Sequence, residues 1–185
     1  MATIDSYLET NVDSDNFALK ALHPVAAATF SACGQAFAGP ATVYTTTSLK
    51  FYAKKVGSPT GTATFELYAC TGTPGTNGMP TGSVLATGNF DVSTLTTSYA
   101  LYEVTFSTPY KLTASTNYVV MFTNPTSGTI DASNYPVIGT DGSSPTHGGN
   151  TTYYTSGAWT YTTGYDTAFY LYGTTEAGGA FLLFT

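Results

Sequence analysis

The 185-residue chain has no arginine, only five lysines, two histidines and two cysteines, and charged residues make up 9% of it. Each shortage excludes something. Without arginine there is no planar guanidinium fork to clamp a phosphate or read a guanine edge, and at a net charge of −6 nucleic acid is not expected as a partner. His23 and His147 are far apart, and Cys33 and Cys70 form no CxxC pair, so neither a metal nor a cofactor is expected. No apolar run reaches the roughly 18 residues of a membrane-spanning helix. Residues 1–10, MATIDSYLET, lack the basic and apolar regions of a signal peptide, so neither membrane insertion nor classical secretion is expected. The two cysteines read as small buried thiols, with a Cys33–Cys70 disulfide as the alternative.

What is abundant points to strands. One residue in five is threonine, and 15 tyrosines, 11 phenylalanines, 19 glycines and 9 prolines accompany an apolar fraction of 42%. Threonine and aromatic side chains suit a pleated, half-buried surface, and glycine and proline suit the turns between strands. From Val43 the period is two: Val43, Thr45, Thr47, Leu49, Phe51 and Ala53 fall on one face. After a turn at 57–61, Ala63, Phe65, Leu67 and Ala69 alternate in a strand expected to return antiparallel to the first. Further strands are expected at 99–106, 117–123, 135–139 and 166–172, with short apolar pieces at 84–86 and 90–92. The fold class is therefore all-β, a two-sheet antiparallel sandwich of jelly-roll-like form. Three parts are expected: an extended N-terminal arm at 1–26, the sandwich at 27–173 and an apolar tail at 174–185. Thr-x-Thr recurs at irregular spacing, which argues against a solenoid array.

The tail holds Phe181, Leu182, Leu183 and Phe184. A large apolar side chain gains about 1.5–3 kcal/mol on burial, so these four are expected either to form one more strand or to make assembly contacts with a neighbour.

The run 48–61, SLKFYAKKVGSPTG, with Phe65-Glu66-Leu67-Tyr68-Ala69, resembles the opening hairpin of choice-of-anchor type β-sandwich domains. The pieces at 80–87, 91–96, 109–114 and 117–120 extend the resemblance, which continues to Tyr170-Leu171-Tyr172-Gly173. It implies a non-catalytic module of the kind found in bacterial surface proteins and in phage or virus structural genes. The implied role is a particle component displayed on the virion surface, a capsid decoration before a tail part. Its partners would be sister copies and a major capsid protein. The alternative is a carbohydrate-binding adhesion module of a bacterial or viral surface.

Several residues invite chemistry. Asn11, Asp13 and Asp15 resemble the start of a calcium loop, but Asn16 replaces the glycine and Leu22 stands where a bidentate glutamate belongs. His147 lies close to Ser144, yet no G-x-S-x-G elbow frames that serine. Glu66 and Glu103 are a formal carboxylate pair, expected on outer strand faces. No catalytic residue is expected. Tyr153, Tyr154, Trp159, Tyr161 and Tyr165 could stack on sugar rings, with Tyr153, Tyr154, Trp159 and Tyr161 as the candidate glycan contacts. The competing expectation is that these rings fill the core or subunit contacts.

Overall fold

The computed structural model describes residues 1–25 and 27–175. In chain order the strands are β1 (Ala2–Tyr7), β2 (Ser14–Ala18), β3 (Ala32–Phe37), β4 (Tyr44–Val56), β5 (Thr62–Thr71), β6 (Met79–Asp91), β7 (Ala100–Thr105), β8 (Tyr118–Thr123), β9 (Tyr135–Asp141), β10 (Asn150–Thr155), β11 (Ala158–Thr162), β12 (Asp166–Thr167) and β13 (Phe169–Thr175). Among the described residues there is no α-helix, and hence no helix long and apolar enough to cross a membrane. The fold is a two-sheet antiparallel β-sandwich. A seven-stranded sheet runs β1-β13-β4-β9-β12, with β2 on β9 and β7 on β4, and a six-stranded sheet runs β11-β10-β3-β8-β5-β6. Most connections, among them β3 to β4, β4 to β5, β8 to β9 and β9 to β10, pass from one sheet to the other, which is the jelly-roll-like habit.

The core lies between the sheets and is largely aromatic. Phe51 on β4 meets Phe65 on β5 edge to face at 5.3 Å, and Phe37 on β3 meets Phe169 on β13 at 6.1 Å. These contacts correct the expected β4–β5 pairing. The inward sets Leu49, Phe51, Ala53 of β4 and Ala63, Phe65, Leu67 of β5 are as read, but β4 and β5 belong to different sheets and face each other across the core. Alternation tells which residues point inward and leaves the hydrogen-bonding neighbour open. The turn at 57–61 carries the chain over the sandwich, with Gly57 and Gly61 at φ +67° and +117°, values that a residue with a Cβ rarely adopts.

Two further expectations change. The regular face from Val43 to Ala53 is broken: the β4–β13 register steps from Ser48↔Tyr172 to Thr46↔Gly173, so Thr47 is an extra, bulged residue. On the far side of the bulge Tyr44 and Thr46 take the inward positions. Buried Thr46 meets its polar requirement locally, its hydroxyl donating to the Tyr110 carbonyl at 3.1 Å and accepting the Tyr110 N–H at 3.0 Å. The segment 1–26, expected as an extended arm, is woven into the seven-stranded sheet through β1 and β2, as far as Ala18. β1 pairs with β13 from Ala2↔Gly173 to Tyr7↔Phe169, β2 pairs with β9 at Phe17↔Ile138, and Tyr7, Phe17 and Leu19 are buried in the core. Its polar character is that of an edge strand with one wet flank. The tail residues Phe181, Leu182, Leu183 and Phe184 lie outside the described residues.

Both cysteines are free, and they sit on opposite faces of the six-stranded sheet. Cys33 points into the main core, where burial pushes its thiol up to about 12, and Cys70 packs against the outer cluster. A thiol titration at neutral pH is expected to find Cys70 alone reacting, slowly, in the native protein and Cys33 only after denaturation. Two fast equivalents, or none after denaturation, would contradict this placement.

Candidate functional site

The β10–β11 hairpin divides the candidate aromatic set. Ser156 and Gly157 at φ +51° and +83° form its tight turn, and the register pairs Tyr154 with Trp159 and Thr152 with Tyr161. Tyr154, Trp159 and Tyr161 therefore share the outer face of the six-stranded sheet, and Tyr153 points the other way. Tyr153 packs on Phe17 at 5.3 Å and Phe30 at 5.1 Å, and Tyr165 joins Phe17 at 5.4 Å.

The outward rings engage mainly one another. Trp159 meets Tyr154 at 5.0 Å and 78°, Tyr154 meets His23 at 4.7 Å, and Tyr68 reaches Trp159 at 6.0 Å. Together with Cys70, Tyr68, Tyr154 and Trp159 roof a second small core of Ala32, Ala36, Val119 and Met121. Parts of the sheet's two edge strands, β11 and β6, lie near each other. Under the roof Glu66 accepts hydrogen bonds from Thr64 Oγ1 (2.7 Å), Thr123 Oγ1 (2.7 Å) and Tyr68 Oη (3.0 Å). Of the candidate rings, Tyr161 stands most open, at 41% exposure.

The other sequence candidates are dispersed. Glu103 lies on the seven-stranded sheet, held by Ser48 Oγ at 2.6 Å and Lys50 Nζ at 3.2 Å, which lower its carboxyl below the usual range, so it forms no pair with Glu66. Asp13 accepts the Gly142 N–H at 2.8 Å, whereas Asp15 binds Lys54 at 2.5 Å and Tyr99 at 2.7 Å. Among the described residues no group of three or more histidines, cysteines or carboxylates could hold a metal ion.

A polar cluster that sequence reading missed lies where β1 crosses the loop after β9. Fully buried Gln35 is its hub: Nε2 donates to Asp166 Oδ1 at 2.7 Å, and Oε1 accepts from the Thr167 N–H at 2.8 Å and Thr151 Oγ1 at 3.3 Å. Asp166 also accepts the His147 N–H at 2.7 Å. Its cross-strand partner is Asp141, which takes Tyr7 Oη at 2.6 Å and the N–H groups of Ser143 and Ser144 at 3.1 and 2.9 Å. Two carboxylates, 2% and 4% exposed, thus face each other across the β9–β12 pair. The signal for this cluster was legible in one place: glutamine shares the inward phase of β3 with Cys33 and Phe37.

His147 completes the arrangement. Its Nδ1 accepts the Gly149 N–H at 3.0 Å and faces Gln35 Nε2 at 3.1 Å, two donors that leave the ring proton on Nε2. Nε2 lies 3.3 Å from both carboxylate oxygens of Asp5. Among the described residues no hydrogen bond joins His147 to Ser144, and the nucleophile–base pairing considered from the sequence is not formed. Above these groups opens a cleft of about 480 Å³ between β1 and residues 146–148.

Burial holds the Asp166 carboxyl above its ordinary value, against the opposing bonds from Gln35 and His147. A raised value means that the folded chain binds this proton more readily than the unfolded one, so the Asp166 contribution to stability grows as pH falls from the raised value toward 3.8. In thermal melts the stability of the wild type relative to Asp166→Asn is expected to rise as the pH is lowered through mild acid. A fall in that relative stability would show that burial is not the dominant influence on this group.

Compared with protein-family models, with curated proteins and with solved structures, the chain matches none.

Proposed function

We propose that the chain is a non-catalytic structural protein of a phage or related virus, a sandwich displayed on the particle as a capsid decoration bound to the major capsid protein. The observation that carries this reading is that the groups able to do chemistry are spent on holding the fold. Asp141 is held by Tyr7, Ser143 and Ser144, Asp166 by Gln35 and the His147 N–H, and Glu66 is tied to three hydroxyls. A catalytic acid or base has to reach a substrate proton, and these three carboxyls are buried. The resemblance to choice-of-anchor domains supports the same role. The four large apolar residues Phe181 to Phe184 would add contacts between sister copies.

Particles purified on a density gradient from cells carrying the gene should contain this chain in fixed ratio to the major capsid protein by quantitative mass spectrometry. Its confinement to the soluble fraction would overturn the reading. Light scattering after gel filtration separates the role of the tail: removal of residues 180–185 is expected to lower the assembly state.

A further inference from the structure

The cleft under β1 has the chemistry of a binding site, and nothing in a purely architectural role requires it. Its volume, about 480 Å³, lies within the roughly 300–1,000 Å³ usual for small-ligand sites. Ile4, Asp5, Ser6, Ala38, Thr146 and His147 line it. We infer that this cleft binds a neutral polyhydroxylated ligand, a saccharide unit, through Asp5 and His147.

Three observations select that class. First, the His147 side chain is 10% exposed and its proton is fixed on Nε2, so a rigid donor stands at the cleft wall beside the Asp5 carboxylate, which is 27% exposed. Second, the imidazole N–H straddles both Asp5 oxygens at 3.3 Å, longer than the roughly 2.7–2.9 Å of a well-formed charge-assisted bond. The pair therefore retains capacity for a better partner. A hydroxyl is both donor and acceptor: it can donate to Asp5 and accept from His147 at once, and a neighbouring hydroxyl on the same ring can use the Thr146 side chain, which has the same dual character. Third, charged ligands fit badly. The cleft has a carboxylate on its wall, two more behind it in Asp141 and Asp166, and no lysine in its lining, which disfavours an anion. A cation would meet the Nε2–H and a single accessible carboxylate. Ile4 and Ala38 offer the apolar wall that the C–H face of a sugar ring needs.

The site is distinct from the outer aromatic cluster and independent of the display role. Its test uses the full-length isotope-labelled protein and a panel of neutral methyl glycosides, with inorganic phosphate and ammonium as charged probes. Saturable amide shifts confined to Ile4, Asp5, His147 and Gly148 with at least one glycoside, and none with the charged probes, are the expected result. Asp5→Asn should weaken that binding about tenfold or more, as loss of a hydrogen bond to a charged group implies, and Trp159→Ala should leave it unchanged. Because the wild-type shift map needs no variant, it decides the matter even if Asp5→Asn unfolds. Shifts centred on Trp159 and Tyr161, preferential phosphate or ammonium binding, or no perturbation of the cleft by any glycoside would each overturn the assignment.

Discussion

Replacing Gln35 with leucine is expected to lower the unfolding free energy by about 3–5 kcal/mol, although the two side chains are similar in size and the new one is more apolar. Gln35 is fully buried among four polar groups, Asp166 Oδ1, the Thr167 N–H, Thr151 Oγ1 and His147 Nδ1. Its removal orphans Asp166 Oδ1 and the Thr167 N–H and takes one of two donors from His147 Nδ1. A buried group left without its partner costs about 1–3 kcal/mol, more when it is charged, and hydrophobic gain at one side chain offsets only part of that. For a chain of this length the loss corresponds to a melting temperature lower by roughly 10 °C. The sign of its pH dependence is also set. Without the Gln35 donor the Asp166 carboxylate is harder to keep charged, so the deficit relative to wild type should shrink as mild acid neutralises it. Gln35→Glu places a further carboxyl beside Asp166 and should be worse than leucine at neutral pH and recover more steeply. Denaturant unfolding of the three proteins at two pH values measures all of this, and a Gln35→Leu loss under about 1 kcal/mol would mean that the cluster is hydrated rather than dry.

How much of this was legible in the sequence follows from which physical signals are local. The inward set of β5 and the far half of β4 could be read directly, because period-two burial needs only the residue order. The bulge at Thr47 could not, since a single inserted residue reverses the phase and threonine is acceptable on either face. Sheet membership was hidden for the same reason that β4 and β5 looked like a hairpin: the same apolar pattern serves two strands side by side or face to face. β1 was hidden because its partner β13 lies more than 160 residues away in sequence, and because two of its inward positions are filled by Asp5 and Tyr7, which hydrogen-bond to the end of β9 and the loop after it. The aromatic run at 153–161 shows the limit for function. Adjacent tyrosines 153 and 154 must face opposite sides of a strand, so one of them was bound to enter the core, yet only the roof formed with Tyr68 shows that the outward one is also packed. Gln35 was the one member of the buried cluster that broke the apolar phase of its own strand.

Phe65→Ala is expected to be as damaging, about 3–5 kcal/mol, for a different reason. Phe65 is fully buried and touches three rings: Phe51 across the sandwich at 5.3 Å, and Phe90 and Phe122 within its own sheet, each at 5.2 Å. Alanine at this position removes the transfer free energy of the ring and leaves a cavity that two sheets held by long hydrogen-bonded ladders cannot collapse to fill. Each aromatic contact adds about 0.5–1.5 kcal/mol beyond area burial, which places the expected loss toward the upper end. Tyr161→Ala at the open edge of the outer face, 41% exposed, is the reference and should change stability by less than about 0.5 kcal/mol. The pairing of β4 and β5 across the core gives the decisive comparison. A Phe51/Phe65 double-mutant cycle should return a coupling near 1 kcal/mol from their edge-to-face contact. The same cycle between Phe65 and Tyr161, which lie on opposite faces of the six-stranded sheet, should return none. A Phe65→Ala loss below about 2 kcal/mol, or absent coupling to Phe51, would mean that the two sheets do not meet at these rings.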